Sequence, residues 1–185
     1  MIASLVVNKL SYHKFTFLFI LAHLNIGFKN FSLNLIAKYI IWLYQQANEK
    51  ITNMQLQKLC YYTQAWYLAN YHKPLFDEDF QAWIYGPVCH ELYKKYKTFG
   101  KECIEIDIDP KEFNVISQDD KEFLNQVVGV YNKFSAIELM TMSHDEIPWK
   151  NARKGCAADE QCFNTISKKD IEQYFSEQIN EKSEN

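Results

Sequence analysis

The chain has 185 residues, of which 48% are hydrophobic and 16% aromatic. That is enough for one domain with an aromatic-rich core, and it excludes a disordered polymer. The 20 basic residues are outnumbered by 23 acidic ones and form no continuous stripe, which argues against a nucleic-acid partner.

Five cysteines, Cys60, Cys89, Cys103, Cys156 and Cys162, make an odd set without the spacing of a disulfide framework. They point to a reducing cytoplasm. Cys60 sits in a dense apolar pattern and reads as core.

Residues 1–32 differ from the rest. The run from Phe15 to Phe28 is apolar but interrupted by His23 and Asn25, and it is shorter than the roughly 20 residues that a membrane-spanning helix needs. Lys9 and Lys14 precede it as in a signal peptide, yet no small-residue cleavage pattern follows. A mis-started extension, an accessory helix and a signal or anchor are three open readings, and no membrane partner is expected. The folded domain is expected over residues 33–180, with a frayed tail at 181–185.

From Ser32, Leu35, Tyr39 and Trp42 or Leu43 recur at steps of three and four, which predicts a first amphipathic helix. Thr52 and Gln55 have capping-box spacing and predict a second helix. Its core stripe is Leu56, Leu59, Cys60, Thr63, Trp66, Tyr67 and Asn70, and His72 to Pro74 end it. Phe80 to Tyr85 alternates as a short strand. Pro87 is expected to start a third helix that Gly100 closes. Cys103 to Ile108 alternates again and is expected to pair with the first strand.

Ser117 caps a further helix reaching Phe134, and Ser135 with Glu138 opens a shorter one. Pro148 breaks the chain before one more turn. Ser167 and Asp170 start a last helix with Ile171, Tyr174, Phe175 and Ile179 on one side. The expected class is mainly α within α+β: a multi-helix domain with a small antiparallel hairpin or short sheet.

Few residues suggest catalysis. Cys89, at a helix start where its thiol would be acidified, could pair with His144 in a cysteine hydrolase. The adjacent His90 points about 100° away on a helix and cannot readily serve it. A semi-buried structural thiol is the simpler reading. Cys156 and Cys162 lie six apart without a second pair, and the five histidines are scattered, so no metal is expected. Nucleotide and serine-hydrolase motifs are absent from the sequence, and no cofactor is expected.

Three blocks carry a resemblance: LQKLCYYTQAWYL from Leu56, PLFDEDFQAWIYGPVCHELY from Pro74, and SHDEIPWKNAR from Ser143. Together they resemble the Panacea antitoxin domain, the family of SocA-like antitoxins and phage-associated GepA-like proteins. The resemblance implies a binding protein, not an enzyme. Its partner would be a cognate protein toxin encoded by an adjacent gene, neutralised directly or delivered to an AAA+ protease such as ClpXP. The signature residues are then Gln57, Lys58, Tyr62, Gln64, Trp83, Gly86, Pro87, Val88, His144, Pro148 and Trp149, expected to maintain the scaffold.

Physical roles can be given to these residues. Gly86 permits an unusual dihedral or a close approach, Pro87 starts a helix and Val88 begins its packing face. Trp83 and Trp149 fill volume and offer an indole donor. Gln57, Lys58 and Gln64, if buried, need partners and are expected to tie the second helix to the His144–Trp149 loop. Toxin-contacting residues are not identified, and toxin choice is expected from residues 101–118 and the last helix.

Overall fold

A computed structural model describes residues 30–180, so the readings of the N-terminal run and of the tail at 181–185 lie outside the described residues. Helix α1 (Leu33–Gln46) is capped by the Ser32 hydroxyl, which accepts from the Leu35 amide. Its buried face centres on Ile36, Ile40 and Ile41, while Leu35, Trp42 and Leu43 are only half buried. The helical period was read correctly and the face was placed too far round.

Thr52 caps α2 (Asn53–Tyr71) by accepting from the Gln55 amide. The reciprocal arm of the capping box is not made. Gln55 instead donates to the Tyr44 hydroxyl and the Phe134 carbonyl, both at 3.2 Å. The helix ends on His72, which takes a left-handed φ of 54° and returns its amide to the Leu68 carbonyl.

The expected single core stripe on α2 is corrected. Every residue from Leu56 to Ala69 is buried. The helix is wrapped by α1, by α4 (Gln118–Tyr131), α5 (Ala136–Asp145) and α7 (Lys168–Asn180), and by a hairpin. A helix enclosed on all sides must satisfy its polar side chains from within.

Two other expectations fail at the hairpin. Strand β1 (Gln81–Trp83) pairs antiparallel with β2 (Gly86–Val88), matching Gln81 to Val88, Ala82 to Pro87 and Trp83 to Gly86. Pro87 therefore lies in a strand, and α3 (His90–Tyr96) starts only after Cys89. Gly86 carries the positive φ, 88°, needed to bring the chain back after the Ile84–Tyr85 turn. The fixed φ of proline suits an extended edge as well as a first helical turn.

Cys103 to Ile108 forms no strand with β1. It runs extended beside α1, with Cys103 bridged to Thr52, the Ile104 amide on the Ile51 carbonyl, and Gln45 donating to the Ile106 carbonyl. Its alternation was real, since Ile104 is buried, but the neighbour was different. The other edge of β1 is bonded by residues 164–166.

Ser117 caps α4, and both arms of the Ser135–Glu138 capping box open α5. The chain breaks at Glu146 before α6 (Ile147–Ala152). Helix α7 lays Ile171 and Phe175 against α2, where the Phe175 ring meets Trp66 edge-on at 5.0 Å. The core is aromatic, with Tyr62 stacked on Tyr131 at 4.0 Å. The described residues contain seven α-helices and one two-stranded sheet, and no described helix is long and apolar enough to cross a membrane.

Cys156 and Cys162, two of the five cysteines that show no disulfide-framework spacing, form a disulfide, with Cα atoms 6.1 Å apart. Gly155, at φ 92°, bends the chain back between them and the preceding helix.

Gln64 shows how α2 satisfies its polar side chains. It accepts from the Leu75 and Phe76 amides and donates to the Phe76 carbonyl. Gln64→Leu leaves three backbone groups without these partners and should cost about 2–4 kcal/mol in urea unfolding. Lys94→Ala on the exposed face of α3 should cost less than about 0.5 kcal/mol.

Candidate functional site

The β1–β2 hairpin is held by side chains gripping its backbone. Arg153 donates to the Ala82 carbonyl at 3.0 Å, and the Trp149 indole donates to the Trp83 carbonyl at 3.2 Å. The His144 ring bonds the Ile84 carbonyl. Lys58 donates to the Pro87 carbonyl at 2.8 Å, and the Cys89 amide donates to Gln57 Oε1 at 2.9 Å. These five side chains come from α2, from the end of α5 and from α6 with its C-cap. Each bond satisfies a hairpin group that a short two-stranded sheet leaves open.

Local sequence explains the supply. Residues 57 and 58 are neighbours on α2 and reach the β2 end of the hairpin, while the break at Glu146 turns α6 so that Trp149 and Arg153 reach β1. His144 and Trp149 stack at 4.0 Å, and the Arg153 guanidinium lies 5.0 Å from the Trp149 ring centre. Pro148 is buried in the first turn of α6, Val88 is buried in β2 and Tyr62 is buried in α2.

Gln57, Lys58 and Gln64 are indeed buried, but their hydrogen bonds go to the hairpin region, to Asn53 and to residues 75–76, not to the His144–Trp149 loop. The link from α2 to that loop is made by Tyr61, whose hydroxyl donates to Glu146 at 3.0 Å, with Tyr62 beside it. Glu146 lies within the loop expected to meet the second helix, but Tyr61 and Arg153 were missed as members of the cluster. An acid at a helix break beside two buried tyrosines gave the sequence no periodic signal.

Burial sets the ionisation of this cluster. It pushes Lys58 down to about 7, opposed by the negative charge of Glu146. It pushes Glu146 up to about 8, opposed by the neighbouring Tyr62 hydroxyl and the bond from Tyr61. His144 is lowered by burial and by Lys58 and Arg153.

The Cys89 thiol lacks the acidity that the hydrolase reading requires. Its thiol is buried and its pKa is raised by that burial, which outweighs the helix-start bonds from the Leu92 and Glu91 amides. The acidified thiol expected at a helix N-terminus is thus corrected. Among the described residues, no group of three or more His, Cys, Asp and Glu is placed to hold a metal ion.

On its outer side the hairpin borders a groove of about 400 Å³ walled by Met54, Trp83, Tyr85, Val88, Tyr93 and Phe163. Gln57 and Lys58 reach it from below. The Trp83 ring lies 5.0 Å from Tyr93 and 5.8 Å from Phe163. Tyr85 and Phe163 are 63% and 61% exposed. Three of the six large exposed apolar side chains among the described residues, Tyr85, Tyr93 and Phe163, gather here, so the exposure is concentrated rather than scattered.

Comparison with known proteins bears on what such a site serves. The family described as antitoxin SocA-like, Panacea domain, matches residues 56–150. Antitoxin SocA of Caulobacter vibrioides (strain NA1000 / CB15N) is 30% identical over 103 residues, covering 51% of this chain and 55% of that protein. The chain thus spans about half the length of this curated relative. No solved structure matches.

Two outcomes test the cluster. A Cβ on Gly86 would lie 2.7 Å from Ser143 Oγ and 2.9 Å from Lys58 Nζ, at a φ that side chains resist. Gly86→Ala should cost about 2–3 kcal/mol, whereas Gly129→Ala, with open space in α4, should stabilise by about 0.5 kcal/mol, both read by denaturant midpoints. Glu146 holds a proton in the fold that the unfolded chain has already lost, so its contribution to stability should fall as pH rises towards about 8, with Lys58 working in the opposite sense above about 7. Glu146→Gln cannot ionise and should gain stability relative to wild type over pH 5 to 8, measured by thermal unfolding. A difference independent of pH would contradict the assignment.

Proposed function

The chain belongs to the SocA-like Panacea antitoxin-domain family, and on that premise we propose that it neutralises a cognate protein toxin by binding it directly. The toxin is encoded by an adjacent gene, and the complex forms in the cytoplasm. The observation that carries this reading is the aromatic groove on the hairpin. Tyr85, Tyr93 and Phe163 are the kind of side chains that anchor protein interfaces, and they surround Trp83 on a backbone fixed from beneath. A pre-positioned aromatic surface loses little conformational freedom on binding.

The groove is favoured over residues 101–118 and the last helix as the toxin face. The extended segment at 104–107 lines a cleft with Gln45, Glu49 and Lys50, which is more polar. Helix α7 spends Ile171 and Phe175 on packing against α2. Phe163 lies beyond the matched residues 56–150, so part of the groove is supplied from outside the family's shared segment.

Co-expression of each neighbouring gene with this chain tests the reading. One neighbour should inhibit growth alone, be relieved by this chain and co-purify with it. Tyr85→Ala and Phe163→Ala should each weaken binding by about tenfold or more, or about 1.4 kcal/mol, with unchanged thermal unfolding. Undiminished affinity in both variants would move the docking face elsewhere. Relief that disappears when an AAA+ protease is deleted would indicate delivery for degradation instead of occlusion.

A further inference from the structure

Residues 153–164 wrap around one guanidinium. Arg153 Nη2 donates to the carbonyls of Ala157, Ala158 and Glu160, and its Nη1 holds Ala82 on β1. The Glu160 carboxylate returns to the Ala157 amide. Beyond the loop, the Asn164 carbonyl accepts from the Ala82 amide, and the Asn164 side chain donates to the Ala152 carbonyl.

Between these anchors stand Gln161, Cys162 and Phe163, and the two outer ones line the aromatic groove. Cys162 is buried and joined to Cys156, which is half buried. The disulfide therefore ties the stretch that carries Phe163 to the end of α6. Without it, the segment from Gln161 to Phe163 keeps the bonds at Glu160 and Asn164 and the Phe163–Trp83 ring contact, but loses its covalent tie to the end of α6.

We propose that Cys156 and Cys162 form a reversible thiol–disulfide pair whose state sets how firmly Phe163 is held in the groove wall. Its consequence for partner binding rests on the groove being the toxin-docking face. Reduction needs a low-molecular-weight thiol. Its thiolate attacks the more accessible Cys156 sulfur, the sulfur–sulfur bond breaks and Cys162 leaves as a thiolate that takes up a proton. A second thiol then resolves the mixed disulfide and frees Cys156. Two electrons pass to the protein, and one small-molecule disulfide is released. Oxidation reverses these steps with that disulfide as the oxidant.

Cys60 and Cys89 are buried, and Cys103 is the remaining half-buried thiol among the described residues. The full chain carrying Cys103→Ser is therefore equilibrated in glutathione buffers of graded oxidation. Alkylation with mass spectrometry counts the thiols, and hydrogen exchange follows residues 161–166. Cys156 and Cys162 should lose their thiols together. The amides at 161–164 should exchange about tenfold or more faster in the reduced form, while those of α2 stay unchanged. Cys156→Ser with Cys162→Ser should behave as the reduced protein in every buffer, and toxin affinity should drop by about tenfold on reduction.

Independent titration of the two thiols, or exchange at 161–164 indifferent to redox state, would overturn the proposal. Redox-dependent exchange with unchanged toxin affinity would leave the control of Phe163 standing and count against the groove as the docking face.

Discussion

The structure depends on a hairpin whose backbone is held by buried side chains as well as by the extended residues 164–166 along β1. Two three-residue strands form too small a sheet to persist alone in water. Here Gln57 and Lys58 hold one end, while Trp149, His144 and Arg153 hold the other. Gly86 is the point where the two sets meet, because only a residue without a side chain fits against Ser143 and Lys58 at that φ.

Such an arrangement is costly to build. Lys58 and Glu146 sit in the interior of a wrapped helix bundle, where burial disfavours the charged form of each. Hydrogen bonds offset that cost only when the cluster is complete: Lys58 on a carbonyl, Glu146 under Tyr61, Arg153 on four carbonyls. An apolar interior would be easier to pack but would leave the hairpin's carbonyls and amides unsatisfied. The polar interior therefore fixes position, and what it positions is the outer row of aromatic side chains.

Much of this was legible in the sequence. The helix caps at Thr52, Ser117 and Ser135 follow from hydroxyls placed before apolar periodicity, and each is where the structure has it. Of the residues in the three blocks, Gln57, Lys58 and Trp149 bond the hairpin region, while Gln64 bonds residues 75–76 instead. Three things were not legible, each for a physical reason. The Gly86–Pro87 pair suits a hairpin return as well as a helix start, and only the partner strand decides. Alternation at Cys103–Ile108 reports a half-buried extended chain without naming its neighbour. The Cys156–Cys162 pairing depends on a loop folded around Arg153, which spacing alone does not reveal.

The family places this chain among antitoxin domains, and the physical account says what such a domain can offer a partner: a rigid aromatic ledge on an interior-anchored hairpin. Native-state hydrogen exchange at the amides of Ala82 and Cys89 tests that anchoring most directly. If the side-chain grip holds, both should exchange only through global unfolding, with the same free energy as the central amides of α2. Exchange through local opening, at a free energy well below that of α2, would mean that the hairpin moves independently of the helices beneath it and would contradict the account.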